Sequence, residues 1–443
     1  MFAQMPVTLL SNATLASGDV TDVLLVDGAI ASIGSPVGKH TTTAGTVDTA
    51  DAADTIDTID TVPTVDLAGW LLLPAAVEPH AHLDKAFLAE AIVNPTGDLH
   101  GAIEAMQANR HLLDVASIAD RAERAARLLA ANGYRAVRTH ADTTTDHGLR
   151  SVEALAEVRR RVADVIDVEI VALCGWPVTG DVGADQRALL REALDAGADL
   201  VGGCPHLEFE AGTLAATEVL LEIAADRGVG VDLHTDETLD PTVEGLAQLA
   251  ELVLAGFPHP VTASHCVSLG MHDADRQRAT ADRVAAAGIS VITLPHTNLF
   301  LQGRGHTPMP RGLTAVAALR AAGVNVAAGA DNLQDPFNPV GRGCPFETAG
   351  LMIMTSHLLP ADAWDAVSAN AARALGRDGG TPNGGGLAPG APADLVAVPA
   401  ATVREAIAFG PTARRVWRAG IEAARAGNEE FTERAAGREV AAN

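Results

Sequence analysis

The sequence predicts an α/β protein: a (β/α)8 TIM barrel carrying a small β-sandwich-like domain formed by both chain ends. Three observations carry this reading. Eight short apolar runs recur between Leu71 and Asp331, most of them about 30 residues apart, the size of one βα unit. Stretches of helical period lie between them. Two further strand-like runs follow a Gly/Pro-rich cluster, where a closed barrel has no place for them.

Taken in order, residues 1–70 supply the N-terminal part of the small β domain. LLVDGAIASIG sets Asp-Gly between two apolar runs, a strong hairpin signal. Residues 41–66 are rich in Thr, Asp and Ala, and are expected to form an acidic, solvated insertion between two strands. Residues 71–380 form the barrel. Its strand candidates are LLLPAAVEPH (71–80), YRAVRTH (134–140), DVEIVALCG (167–175), DLVGGCPH (199–206), GVGVDLH (228–234), PVTASH (260–265), ISVITLPH (289–296) and VNVAAGAD (324–331). DRAERAARLLAANG, SVEALAEVRRRVAD and TEVLLEIAADRG are helix-like, and a glycine near several helix ends fits the C′ position. Residues 381–443 return to the small domain, where ADLVAVPA and ARRVWRAGIEAA are expected to pair with the N-terminal strands.

Composition narrows the function. In 443 residues, 48% are apolar but only 3% aromatic, so the core must be built from Ala, Val, Leu and Ile. A formal net charge of −25 disfavours a nucleic-acid or anionic-membrane partner. The first residues lack a basic, apolar leader, and no run of 18 apolar residues occurs, so a cytoplasmic protein is expected. Cys174, Cys204, Cys266 and Cys344 lie far apart, which argues against a disulfide framework or a thiolate zinc site.

The polar residues fall at strand ends. His80 and His82 close the first run as His-Ala-His, and residues two apart on a strand share a face. His234 closes the fifth run, His265 the sixth and Asp331 the eighth. Barrel active sites sit at the carboxyl ends of the strands, so these five residues converge on one mouth. Imidazole and carboxylate suit Zn2+ or Fe2+. Asp236 is expected to cap a turn or helix, and Cys266 to pack in the core.

EPHAHLDK, VRTHAD, PHLEFE, DLHTDE, TASHC, NLFLQGR and GADNLQDPFNPVG resemble motifs of the amidohydrolase superfamily, in particular cytosine deaminase and its relatives. The resemblance spans nearly the whole chain. It implies one divalent metal ion held by His80, His82, His234 and Asp331. It also implies His265 polarising the attacking water, Asp331 taking a proton from that water, and Glu237 shuttling a proton to the ring nitrogen. A lysine-bridged metal pair is not expected: the two lysines are Lys39 and Lys85, and neither lies on the middle strands.

The recognition residues depart from cytosine deaminase. Where that family has a glutamine after the third strand, this chain has Gly175, followed by Trp176, which can offer a stacking face. Asn332 stands in place of an acid, and Phe337 where an aromatic is expected. Trp176, Asn332 and Phe337 are therefore the substrate-binding candidates. His140, His206 and His296 also end strands and are assigned to supporting hydrogen bonds. Glu208 orients His206 or lines the pocket; Asp84 and Lys85 bind substrate or make a surface pair. The expected activity is hydrolytic deamination of a small amino-substituted N-heterocycle other than cytosine. The alternative is release of an alkylamine or opening of a cyclic amide. A barrel stripped of its chemistry is disfavoured because the ligands and the proton shuttle all remain. The expected partner is a small heterocyclic substrate, and the sequence is compatible with a homo-oligomer.

Overall fold

The computed structural model describes residues 7–34, 62–209, 212–378 and 386–426. The chain divides into two compact units, Ala76–Gly380 and Met1–Ala75 with Thr381–Asn443.

The larger unit is a (β/α)8 barrel. Its strands are β1 Ala76–Ala81, β2 Tyr134–Thr143, β3 Asp167–Cys174, β4 Leu200–Gly203, β5 Val231–Thr235, β6 Val261–His265, β7 Ser290–Thr293 and β8 Val326–Ala328. Each pairs in parallel with the next in chain order. The seam between β8 and β1 is closed just past β8. There Asp331 N donates to His80 O at 3.1 Å and His82 N donates to Asp331 O at 3.2 Å.

The helices follow from local rules. Val115–Ala131 starts at Asp114, whose side chain accepts from Ser117 N at 2.7 Å. It buries Ile118, Ala122, Ala125 and Leu129, one face of a helical repeat, and leaves Arg124 and Arg127 to solvent. Past its end Gly133 takes φ +98°, a conformation that favours glycine.

The barrel interior is not the apolar stack that the composition predicts. Arg138 on β2 donates to Glu169 on β3 at 2.6 Å, to Asp232 on β5 at 2.8 Å and to Thr262 on β6 at 3.0 Å. A side chain that reaches three other strands must cross the inside of the barrel. Arg138 and Asp232 are buried, so each charge depends on the other.

The smaller unit holds an eight-stranded sheet built from both chain ends. Its path runs Ile421–Ala426, Arg414–Arg418, Leu395–Val398, Leu71–Pro74, Val7–Thr14, Val20–Val26 and Ala29–Gly34, with Thr64–Asp66 beside Val7–Thr14. The C-terminal strands do pair with the N-terminal ones: Leu395 opposes Pro74 and Val398 opposes Leu71. Leu10, Leu25, Ile30, Leu72, Leu395 and Trp417 form its core. At the hairpin tip Asp27 and Gly28 take φ +50° and +78°, as an Asp-Gly turn of this type requires.

The run 71–80 is two strands, not one. Pro74 has no N–H to continue a ladder. The next two amides then serve different sheets: Ala75 N donates to Asp394 O and Ala76 N to Gly133 O. Of the acidic stretch 41–66, residues 41–61 lie outside the described residues, while Thr64–Asp66 is a strand. No helix among the described residues is long and apolar enough to cross a membrane.

Candidate active site and metal centre

The carboxyl ends of the strands carry a cluster of imidazoles and carboxylates. His80 lies within β1, His82 just past it, His234 within β5, His265 at the end of β6 and Asp331 just past β8. The structure brings all five together. His82 Nε2 is 3.2 Å from His234 Nε2 and 3.4 Å from Asp331 Oδ1; His80 Nε2 is 3.7 Å from the same oxygen. His265 and Asp331 take φ +68° and +63°, a left-handed backbone that costs a non-glycine residue about 1–3 kcal/mol. That strain is borne at the two residues that turn inward from the ends of β6 and β8.

The donor set fits a cation. His80 Nε2, His265 Nε2 and both Asp331 oxygens are buried without a hydrogen-bond partner, and the nearby Thr297 hydroxyl donates to Asn332 Oδ1 instead. Burial holds His80, His82 and His234 well below the usual imidazole range, so their lone pairs are free. Burial pushes Asp331 up to about 8, with Asp335 adding to the effect. Neutral imidazoles beside a carboxylate that lacks a counter-charge are a set that a divalent ion would complete. His80, His82 and His234 can hold one, as can His80, His265 and Asp331.

Each ring is oriented from behind. His80 Nδ1 bonds the Ser264 hydroxyl at 2.9 Å; that hydroxyl donates to Asp232 at 3.0 Å, and Asp232 is held by Arg138. His82 bonds the backbone of His140. Asn298 Nδ2 donates to His265 Nδ1 at 3.1 Å, which leaves the ring proton on Nε2, facing the cluster. Glu237 follows β5, buried, with Oε1 3.5 Å from His265 Nδ1 and no hydrogen-bond partner. Burial first, and Asp331 second, push its carboxyl well above the usual range.

The cluster forms the floor of a cavity of about 410 Å3, and Trp176, Asn332 and Phe337 all line it. The Asn332 amide already donates to Asp335 and accepts from Thr297, so one hydrogen and one lone pair remain for a ligand. A side chain at Gly175 would meet the Gln186 oxygen at 2.9 Å; Gln186 reaches this wall from the helix Ala184–Asp195. Asp236 accepts from Gly245 N and Leu246 N and so caps the start of the helix Gly245–Leu254. Cys266 is buried, and burial raises its thiol.

Supporting residues divide. His206 Nδ1 donates to His234 O at 3.1 Å, and His296 bonds the Thr348 hydroxyl. The His140 ring lies 4.0 Å from that of His80, with neither nitrogen bonded. Glu208 does neither job expected of it: it accepts from Val178 N and Thr179 Oγ1, holding that loop. Lys85 is buried, not at the surface, and donates to Asp142 at 2.6 Å. Motif reading missed Arg110, Asp142, Arg138, Asp232 and Ser264. One signal was there: polar residues stand two before the histidines in Glu78-x-His80, Arg138-x-His140 and Asp232-x-His234.

A (β/α)8 barrel whose strand ends gather four imidazoles and an aspartate in one buried cluster able to hold a metal ion, beside a buried glutamate, defines the metal-dependent hydrolase class. The family model for the amidohydrolase family matches residues 100–422. The chain belongs to the amidohydrolase family, whose members depend on a metal. It is 37% identical over 339 residues to a pterin deaminase of Rhizobium rhizogenes, covering 75% of each chain. It is similar in structure to the 5-methylcytosine deaminase of Klebsiella pneumoniae bound to phosphonocytosine, with a TM-score of 0.80, 31% identity and coverage of 95% of this chain and 98% of that one. It also resembles the N-isopropylammelide isopropylaminohydrolase of Burkholderia multivorans, with a TM-score of 0.77, 30% identity and coverage of 95% and 99%.

Proposed function

We propose that this protein is a hydrolytic deaminase of an amino-substituted N-heterocycle, with pterin-sized bicyclic rings within its range. The observation that carries this is the placement of Glu237 and His265, 3.5 Å apart, beside the imidazole–aspartate cluster on one cavity floor. The identity to a pterin deaminase supports the reaction, and a cavity of about 410 Å3 has room for two fused rings.

His80, His82, His234 and Asp331 would hold one divalent ion, zinc or iron. When bound, such an ion supplies Lewis acidity and lowers the pKa of water from about 15.7 toward 7. The chain's own groups handle the protons. Asp331 accepts the proton that the attacking water gives up. His265, with its proton on Nε2, donates toward the oxygen that gains charge. Glu237, whose carboxyl burial pushes well above the usual range, delivers a proton to the ring nitrogen, takes the remaining proton of the added hydroxyl and passes it to the departing amine; the proton on Asp331 then returns to Glu237 and resets the site. Water's oxygen stays on the ring carbon, and ammonia leaves.

Release of an alkylamine from an N-alkylamino ring is the second reading, favoured by the likeness to the isopropylaminohydrolase. One screen separates the two. Metal-loaded enzyme is offered aminated pyrimidines, pterins, triazines and creatinine-like rings, with ammonia and alkylamine measured separately. Ammonia release supports the first reading; alkylamine alone replaces it with the second; neither product from any ring sinks both.

The support behind His80 is tested without substrate. Ser264→Ala removes the hydroxyl that orients the ring, and metal affinity is expected to fall about 10- to 100-fold by chelator competition. Unchanged affinity would show that Ser264 does not position His80.

A further inference from the structure

Lys85, Asp142 and Arg110 form a charged wall on the same cavity, next to the metal cluster but no part of it. Lys85 Nζ lies 3.2 Å from His82 Nδ1, so the wall begins one imidazole away from the reacting end. Lys85 donates to Asp142 Oδ1 at 2.6 Å, and Arg110 donates to Asp142 Oδ2 at 2.8 Å. Against the opposing effect of burial, the two cations keep the Asp142 carboxylate ionised. Each oxygen spends one lone pair on a cation and keeps another. Arg110 also holds Asp146 at 3.1 Å and Thr144 at 3.4 Å, which fixes the guanidinium.

A buried ion network is weak as a stabilising device, because desolvation offsets the attraction. This one faces a cavity instead of packed protein. Its polar atoms run donor, acceptor, donor along the wall. Elsewhere the cavity offers apolar surface, including Ile103, Leu173, Trp176 and Phe337, suited to the faces of a flat ring.

We propose that Asp142, flanked by Lys85 and Arg110, reads a lactam edge: a ring N–H that Asp142 accepts, beside a ring carbonyl that one of the cations donates to. This rests on the deaminase reading above and names its substrate class, amino-substituted rings that also carry a cyclic amide. A ring with a bare lone pair at that edge sets it against the carboxylate. Sites built to bond a substrate N–H discriminate strongly against analogues that lack it.

The test uses the full chain, metal-loaded, with two probe pairs: isocytosine and pterin, each against its 4-methoxy derivative. Methylation keeps the exocyclic amine and ring size but removes the N–H and the carbonyl. Ammonia release and equilibrium binding are both measured. The expected result is a preference of about 10²-fold or more for the lactam member of at least one pair. Asp142→Asn should shrink it to within about 10-fold, mainly through KM, with metal content unchanged; a purely structural role would not move this ratio. Should Asp142→Asn fail to fold, Arg110→Gln is expected to act in the same direction. Equal handling of both members by the wild type, binding of neither, or an intact preference in the variant overturns the proposal. Ammonia from rings without a lactam edge, with no lactam preference, overturns it while leaving the deaminase reading standing.

Discussion

Replacing Glu237 with glutamine is expected to lower turnover by about 10²-fold or more while metal content stays near the wild-type level. Glutamine keeps the size and the buried position but cannot exchange a proton. A hundredfold loss corresponds to about 2.7 kcal/mol of transition-state stabilisation. Glu237 is suited to this role because its carboxyl is buried, lacks a hydrogen-bond partner at Oε1 and lies beside His265 without belonging to either candidate ligand group. Turnover and metal analysis on one preparation decide the matter. Unchanged turnover removes Glu237 from the mechanism, and loss of metal would make it a ligand.

The second large effect is expected from His82→Asn. The His82 ring sits between the His234 ring and the Asp331 carboxylate, at 3.2 and 3.4 Å. Asparagine is too short to reach the point where those atoms converge. The variant should be purified without metal and without activity, while its circular dichroism stays that of the folded barrel. Full metal occupancy in the variant would refute the ligand role of His82.

Much of this was legible because the barrel writes its site at strand ends. Each of the eight candidate runs overlaps a barrel strand, and a residue at or just past a strand's carboxyl end has one place to point. Asp236, expected to cap a turn or helix, does cap one, but from nine residues upstream of the helix start at Gly245. What was not legible depends on partners distant in sequence. Nothing near Arg138 announces that it meets Asp232 and Thr262, 94 and 124 residues later. For Lys85 the sequence offers a substrate contact or a surface pair and does not announce its buried partner, because Asp142 is 57 residues away. The run 71–80 read as one strand because apolar periodicity is the same on both sides of Ala75; only the direction of two backbone amides separates the sheets. Glu208 sits beside His206 in the chain yet serves a different loop.

Asp331 has two duties, since its backbone joins the last barrel strand to the first and its carboxylate faces the imidazole cluster. An ion bound through Asp331 and the histidines of the first strand would therefore act as a clasp on the barrel. It would tie positions some 250 residues apart, at the one junction where consecutive strands in space are not consecutive in sequence. Loss of the ion would then loosen the cylinder first along that line, leaving the seven consecutive strand pairings to hold the fold.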